Sequence, residues 1–346
     1  MKSLSLDKNN RIQSLDFYRG IAILSVVVHH FGLLYGYGNL GVDLFFVISG
    51  YLVGGILVKL YMRQSINYFK FILQRGFKIW PSYYSYLLLG SLFSYFLLDR
   101  NNPEFHLSFT PFSDIARYLF FYRNFTGVPN HRLFDGIWSL CVEEHFYFIL
   151  PIVLIVLLAI KKPKINYLFY LCALMIATGF ITKVLSLLYS NSKDTHSMTM
   201  FRIDQLAYGV LLYLVINYTN IKFNKLLVFI TGILLLAVLI YFDSIGLSTF
   251  YCKTVFRSLV GIPFFLIIFS TFTFSFGHFS FVKFFAKYSY NMYLWHSMAL
   301  YFTFAHFGTT VFSFFFYMGF SLLLAYLTTH LIEIPALNIR NKLFPN

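Results

Sequence analysis

The sequence predicts an all-α fold, a polytopic membrane bundle of about ten transmembrane helices. Composition is the first reason. Of 346 residues, 58% are hydrophobic and only 12% are charged, whereas an ordinary soluble domain is about a quarter charged. The second reason is that the apolar residues come in runs long enough to cross a bilayer. Because lipid offers no partners to backbone polar groups, such runs fold as helices. We expect a single domain over residues 1–346.

The predicted spans follow one another with short connections. They cover residues 16–35, 41–60, 79–98, 137–160, 165–189, 200–217, 225–242, 255–274, 288–307 and 310–333. The fifth and sixth runs are the least typical of a span, because the fifth contains Lys183 and the sixth contains Arg202 and Asp204. The longest connection, residues 99–136, is expected to carry a short surface helix.

The net charge of +14 indicates an orientation in the membrane. Basic charge that binds nucleic acid clusters on a soluble face, whereas here it lies in short loops between apolar runs, so no nucleic-acid partner is expected. With the N-terminus in the cytosol, the cytosolic segments hold seventeen Lys and Arg and the outer loops hold seven. This excess predicts that both termini are cytosolic. The three scattered cysteines predict neither a disulfide framework nor a metal site.

The first predicted helix carries two ionisable residues on one face. Arg19 lies near its cytosolic end and His30 follows eleven residues later, a rise of about 16 Å and a rotation within roughly 20° of three full turns. Arg19 alone is compatible with a side chain that extends to the interface, and His30 alone with a packed, hydrogen-bonded histidine. Together they indicate a lined path, because ionisable groups inside a membrane usually serve function.

Carboxylates enter two other helices from the outer side. Asp43 lies near the start of the second run, where a helix dipole alone would favour it. Glu143 and Glu144, followed by His145, lie one to two turns into the fourth run, at a depth similar to that of His30. A structural network of buried ion pairs is one explanation, and a functional site is the other.

Four further residues are candidates for binding. Arg75 and Lys78 are one turn apart at the cytosolic start of the third run, a spacing that suits phosphate binding, although a plain basic flank has the same pattern. Arg202 lies at the outer end of the sixth run, and His296 lies near the middle of the ninth. A single histidine within a helix is more often structural.

Two chemistries fit this distribution of charge. One is group transfer, with an anionic donor at a cytosolic basic mouth and a His assisted by a carboxylate as base near the far side. The other is transport with a proton relay, which usually comes with inverted repeats and interrupted helices.

Short segments along nearly the whole chain resemble the membrane-bound acyltransferase 3 family. Each segment is modest alone, but their order and spacing make the set specific. They read LDFYRGIAILSVVVHH, GVDLFFVISGYL, QRGFKIWPSYY, IWSLCVEEHFYFILP, FRIDQLAYG, YSYNMYLWHS and IEIPALNIR. The resemblance implies an O-acyltransferase that uses cytosolic acyl-CoA, usually acetyl-CoA, as donor substrate and has no bound cofactor. It implies as acceptor a hydroxyl of a cell-surface polysaccharide or lipid-linked glycan.

The resemblance also implies roles for individual residues. The critical Arg and His of the family fall on Arg19 and His30, and its conserved Glu falls on Glu143 or Glu144. The basic pair of the family is Arg-x-x-Arg, whereas here the second member is Lys78, which lacks the bidentate fork of arginine. The Gln that follows the paired acids in the family is His145 here. Many relatives carry an extracellular hydrolase-like domain. This chain is expected to lack one and to transfer the group directly or through a partner.

These arguments predict a multi-pass enzyme of the plasma or inner membrane that contacts lipids, acyl-CoA and a glycan. Arg19, Arg75 and Lys78 would bind the CoA phosphates, and His30 would act as general base, oriented by Glu143 or Asp43. We assign further substrate or donor contacts to three other side chains, which are Glu144, Arg202 and His296. The rival hypothesis is a transporter or flippase for a lipid-linked glycan. A third hypothesis is a structural subunit of a glycan-export complex, in which the buried ionisable residues could be replaced without loss of activity. The residues leave open whether the acyl group is acetyl or succinyl.

Overall fold

The computed structural model describes residues 8–97, 112–125, 132–134, 136–189, 196–276 and 279–345. Within these ranges the chain is helical and forms no β-strand, which confirms the predicted all-α fold. The helices are α1 (Lys8–His30), α2 (Gly36–Met62), α3 (Tyr68–Leu97), α4 (Phe112–Leu119), α5 (Ile137–Ile160), α6 (Ile165–Tyr189), α7 (Ile203–Tyr218), α8 (Lys225–Ser244), α9 (Tyr251–Thr271), α10 (Ser280–Phe307) and α11 (Val311–Leu343).

Each predicted run overlaps one of the long helices. In the described part of the chain, six helices are long and apolar enough to cross a membrane: α2, α5, α6, α8, α9 and α11. The other four predicted runs fall on α1, α3, α7 and α10, which are shorter or more polar. The chain is therefore a multi-pass membrane protein. The short helix expected in the longest connection is α4, whereas residues 99–111, 126–131 and 135 of that connection lie outside the described residues.

Side-chain contacts separate two ends of the bundle. At one end Tyr18 of α1 lies 2.6 Å from Thr271 at the end of α9. At the other end Tyr37, at the start of α2, donates a hydrogen bond of 3.1 Å to Asp243 at the end of α8. These contacts agree with the alternating directions that the loop charges predict. We call the first end the inner end and the second the outer end, after the predicted sides of the membrane.

Helices α2 and α7 approach each other through glycines. A Cβ at Gly50 would lie 2.1 Å from the backbone oxygen of Leu206, and a Cβ at Gly209 would lie 2.1 Å from the backbone oxygen of Val47. Any larger residue at either position would force the two backbones apart, which is why small residues favour close packing of membrane helices. This contact brings the start of α2 against the start of α7 at the outer end.

Candidate active site

A cavity of about 260 Å³ lies between α1, α2, α3, α5 and α10. Its volume is just below the usual range of small-molecule pockets, roughly 300–1,000 Å³, and its wall is partly apolar. The polar side chains that line it are Arg19, Ser49, Arg75, Lys78, Ser139, Glu143, Tyr147, Ser289, Tyr290 and Tyr293. Four of the residues predicted for the site, Arg19, Arg75, Lys78 and Glu143, therefore share one cavity.

The cations of the cavity differ in how they are paired. Arg19 donates a hydrogen bond of 3.1 Å to the Ser289 hydroxyl, and it lies 3.9 Å from Asp16 in a partly exposed ion pair. Arg75 lies over the ring of Phe71 at 5.9 Å, and no carboxylate in the described residues is within ion-pair distance of it. The cavity therefore keeps positive charge that its own carboxylates do not neutralise.

Lys78 has a partner that the sequence analysis missed. Its ammonium group forms an ion pair with the buried carboxylate of Glu333 in α11. The other oxygen of Glu333 accepts a hydrogen bond of 2.7 Å from Asn291 of α10. A carboxylate at the end of an apolar run is a signal that could have identified Glu333, since such groups are rare in membrane helices without a function.

The structure separates the three consecutive polar residues of α5. Glu143 lines the cavity and accepts a hydrogen bond of 2.9 Å from Tyr147. Glu144 is buried on another face, where the indole of Trp80 donates a hydrogen bond of 3.1 Å to it. His145 contacts the hydroxyl of Thr199 at 2.6 Å. Because successive helix residues are rotated by about 100°, only the first of the three faces the cavity.

Hydroxyl groups extend the polar wall from Glu143. The Tyr147 hydroxyl lies 2.8 Å from Ser49 of α2, immediately before the π-helical turn Gly50–Gly54. Such turns occur frequently at functional sites. Farther towards the outer end, the hydroxyls of Ser139 and Tyr293 lie 2.6 Å apart. The sequence analysis singled out none of these hydroxyls, because serine and tyrosine are common in apolar helices and give no distinctive pattern.

Two predicted histidines meet beyond the outer end of the cavity. The rings of His30 and His296 are 4.6 Å apart at 75°. His30 Nδ1 donates to the carbonyl of Val26 at 2.8 Å, and His296 Nδ1 donates to that of Tyr293 at 2.6 Å. Since a carbonyl can only accept, Nδ1 of each ring carries a proton, and the Nε2 of a ring in its neutral form can accept one. The Nε2 of His296 lies 3.4 Å from the Ser297 hydroxyl, whereas the Nε2 of His30 has no hydrogen bond within the described residues. Such an Nε2 can act as a base.

Tyr293 connects the cavity to this histidine pair. It lines the cavity, and its ring lies 5.4 Å from that of His296. His30 itself is not part of the cavity wall. The path from Arg19 to His30 therefore passes the side chain of Tyr293.

Asp43 and Arg202 form a separate buried network at the outer end. Arg202 donates a hydrogen bond of 2.8 Å to Asp43, and both side chains are 0% exposed. It also donates to the carbonyl of His196 at 2.8 Å and to Nδ1 of the same residue at 2.7 Å. In the described structure neither Asp43 nor Glu143 hydrogen-bonds to the ring of His30. Its Nδ1 is oriented by the backbone of α1.

A second buried pair also lies outside the cavity. Lys183 of α6 forms an ion pair with Asp204 of α7, and both side chains are 0% exposed. The ammonium group also donates to the hydroxyl of Ser258 at 2.9 Å. This pair explains how α6 and α7 accommodate charged residues within apolar runs. Among the described residues, no group of three His, Cys, Asp or Glu side chains is placed to hold a metal ion.

A multi-pass helical bundle with a basic cavity and the imidazole of His30 beyond it is suited to act on an anionic donor within the membrane. Comparison with known families gives the class directly. Residues 12–330 match the model of the acyltransferase 3 family, described as an acyltransferase domain. The chain belongs to this family, which confirms the resemblance identified from the sequence motifs.

Curated relatives are similar over about three fifths of this chain. One is the peptidoglycan O-acetyltransferase OatA of Listeria monocytogenes, 28% identical over 61% of this chain and 34% of the relative. Another is a putative O-acetyltransferase of Staphylococcus aureus, 32% identical over 59% of this chain and 35% of the relative. A third is a putative peptidoglycan O-acetyltransferase of Bacillus subtilis, 29% identical over 62% and 35%. The matched region thus spans about a third of the length of these relatives. No solved structure matches the chain.

Proposed function

We propose that this protein is a membrane O-acyltransferase that moves an acyl group, acetyl in the first instance, from cytosolic acyl-CoA to a hydroxyl of a cell-surface glycan. The observation that carries the proposal is one cavity that joins Arg19, Arg75 and Lys78 to Glu143 and ends near the pair of His30 and His296. Within the described residues the Nε2 of His30 has no hydrogen bond. Family membership supports the reaction class. The names of the relatives support the acetyl group and a peptidoglycan-like acceptor.

The proposed donor site uses the charge of the inner end. The phosphates of CoA would be bound by Arg19, Arg75 and Lys78, since incompletely neutralised cations are favourable partners for phosphate oxygens. A cavity of about 260 Å³ suits the extended pantetheine arm better than the whole nucleotide. The thioester would then lie near Tyr293, next to the histidine pair.

The proposed transfer step begins at His30. Its Nε2 removes the proton from the acceptor hydroxyl as the oxygen bonds to the thioester carbon. The carbon–sulfur bond then breaks, and the CoA thiolate takes the proton from the imidazolium. A route through an acyl-imidazole requires the same free Nε2, so both routes depend on the hydrogen bond that Val26 accepts from Nδ1.

We propose the domain bounds, the topology and the roles of the remaining residues as part of the same function. We propose one domain over residues 1–346, with both termini cytosolic, in the plasma membrane. Glu143 would contribute through the polar wall of the cavity, and His296 through its contact with the ring of His30. Asp43 and Arg202 would act by holding α2 against α7. Transfer to the final acceptor would be direct or would use a partner protein.

Mass spectrometry of cell-surface glycans tests the proposal. Cells with the wild-type protein should show an added acyl mass that is absent without it, and His30→Ala should lower acetyl-CoA turnover of purified protein by roughly 10²–10⁴-fold, the usual contribution of a general base. The matched control is His306→Ala, which alters an exposed histidine of α10 that stacks on Phe302 and should keep wild-type turnover.

Two results would overturn the proposal. Wild-type turnover in the His30→Ala protein would remove His30 from the reaction. Movement of a lipid-linked glycan across the membrane without any acyl-CoA-dependent mass would instead support the transporter hypothesis.

A further inference from the structure

We infer that Glu333 is a positioning residue for donor binding, which holds the Lys78 ammonium at the cavity wall while leaving part of it free for the donor phosphates. This inference rests on the proposed function, because it names how one of the proposed phosphate ligands is prepared. Neither the family match nor the relatives assign a role to Glu333.

The carboxylate of Glu333 is held from both sides. One oxygen pairs with Lys78, and the other accepts a hydrogen bond of 2.7 Å from Asn291. The same amide nitrogen of Asn291 donates to the hydroxyl of Thr329 at 2.7 Å. Thr329 and Glu333 lie at the two ends of a π-helical turn in α11. The carboxylate therefore has a defined position set by α10 and α11 before any donor arrives.

The ion pair is open on one side only. The side chain of Lys78 is 35% exposed and that of Glu333 is 6% exposed, and Lys78 lines the cavity whereas Glu333 does not. An ammonium group has three N–H donors, and Glu333 engages one of them. The others remain available on the side of the cavity. In the Lys183–Asp204 pair, by contrast, both side chains are 0% exposed, so no ligand can reach that ammonium.

The chemistry of lysine explains why such an anchor is needed here. Arg75 presents a rigid, planar fork, whereas Lys78 ends in a point charge on a flexible four-carbon stem. A flexible side chain loses conformational freedom when it grips an anion. Because Glu333 has already restricted Lys78, less freedom is lost when a phosphate binds.

A double-mutant cycle on donor affinity tests the inference. The dissociation constant of acetyl-CoA is measured with purified wild-type, Lys78→Met, Glu333→Gln and doubly substituted protein in lipid nanodiscs. Glutamine keeps the acceptor for Asn291 but loses the charge. We expect Glu333→Gln to weaken binding by up to roughly tenfold, because the donor must then immobilise the long Lys78 side chain by itself. In the Lys78→Met background the same change should have no further effect, because Glu333 acts only through Lys78.

Two variants sharpen the test. Glu333→Asp retains the charge on a shorter side chain and should restore part of the affinity, which keeps the inference testable if Glu333→Gln does not fold. Lys225→Met is the matched control, because Lys225 is another lysine of the inner end, bonded to the Thr273 hydroxyl at 2.6 Å on the exposed surface. It should leave the dissociation constant unchanged.

The outcomes separate this inference from the function on which it rests. If the wild-type protein binds acetyl-CoA but Glu333→Gln binds it equally well, or if the two substitutions weaken binding additively, the positioning role is overturned and the proposed function stands. If wild-type protein shows no binding of acetyl-CoA, both are overturned.

Discussion

Ionisable side chains form two groups in this membrane bundle, and they differ in pairing. In the outer group, Asp43 pairs with Arg202 and Lys183 pairs with Asp204, with all four side chains 0% exposed. In the inner group, which surrounds the cavity, Arg75 has no carboxylate within ion-pair distance in the described structure, and Lys78 is one-third exposed. In the outer group each buried charge has an oppositely charged partner, as in a structural network. In the inner group part of the positive charge has no such partner, as in a site that binds an anionic ligand.

The physical cost of burying charge accounts for this difference. A buried ion without a partner is strongly unfavourable. Charged side chains that water cannot reach must therefore be neutralised by other groups of the protein. Charges that remain next to a polar cavity can stay partly unpaired, because water or a ligand can complete their coordination. Residue type alone therefore does not distinguish the two groups, whereas pairing and exposure do.

The largest expected effect is the loss of the outer network. Arg202→Met should lower the free energy of unfolding by about 3–5 kcal/mol, because it leaves the carboxylate of Asp43 buried without its cation. Removing both charges with Asp43→Asn and Arg202→Met should cost less than Arg202→Met alone. Denaturation of the purified protein, followed by tryptophan fluorescence, measures both. If Asp43→Asn keeps its stability and loses only acyl transfer, Asp43 belongs to the reaction and not to this network.

Substitutions in the inner group should affect stability less than those in the outer group. They should instead weaken donor binding. Arg75→Ala should weaken acetyl-CoA binding roughly 10- to 100-fold, since a hydrogen bond to a charged group contributes about 1.5–3 kcal/mol. Its unfolding should change little, because no carboxylate in the described residues is left unpaired. Calorimetric titration provides the affinity, with Arg63→Ala, an exposed cation at the inner end of α2, as control. Unchanged affinity in Arg75→Ala would place the phosphates elsewhere.

The smallest effect concerns pH and His196, in the connection between α6 and α7 outside the spanning helices. Burial, and then the positive charges of Arg202 and Arg257, lower the pKa of His196 well below its ordinary value of 6.5. Below pH 6.5 the unfolded chain therefore binds a proton that the folded protein excludes. Stability should fall by about 1.4 kcal/mol per pH unit as the pH decreases.

Thermal unfolding between pH 7.5 and 5.5 checks this expectation by comparison of wild-type protein with His196→Gln. Glutamine has no imidazole to protonate, so the stability of the His196→Gln protein should depend less on pH in this range. Equal slopes for the two proteins would show that His196 does not control the acid sensitivity of the outer network.

Much of the fold could be predicted from the sequence, because lipid requires long apolar helices and the runs have the length of a span. The candidate site could be predicted only as a set of residues. Arg19 and Glu143 line the same cavity, whereas Glu144 turns towards Trp80. Periodicity places residues on faces of one helix, but it does not say which neighbouring helix each face meets.

Sequence alone determined the class of this protein: its apolar runs, the charge asymmetry of its loops and the ordered motifs of an acyltransferase family. Only the tertiary structure decided the partners. Asp43 meets Arg202 across 159 positions of the chain, and Lys78 meets Glu333 across 255. The reason is that helix formation depends on local composition, whereas pairing depends on how distant helices rotate and pack to neutralise buried charge. That packing leaves a cavity whose positive charges are only partly neutralised by carboxylates.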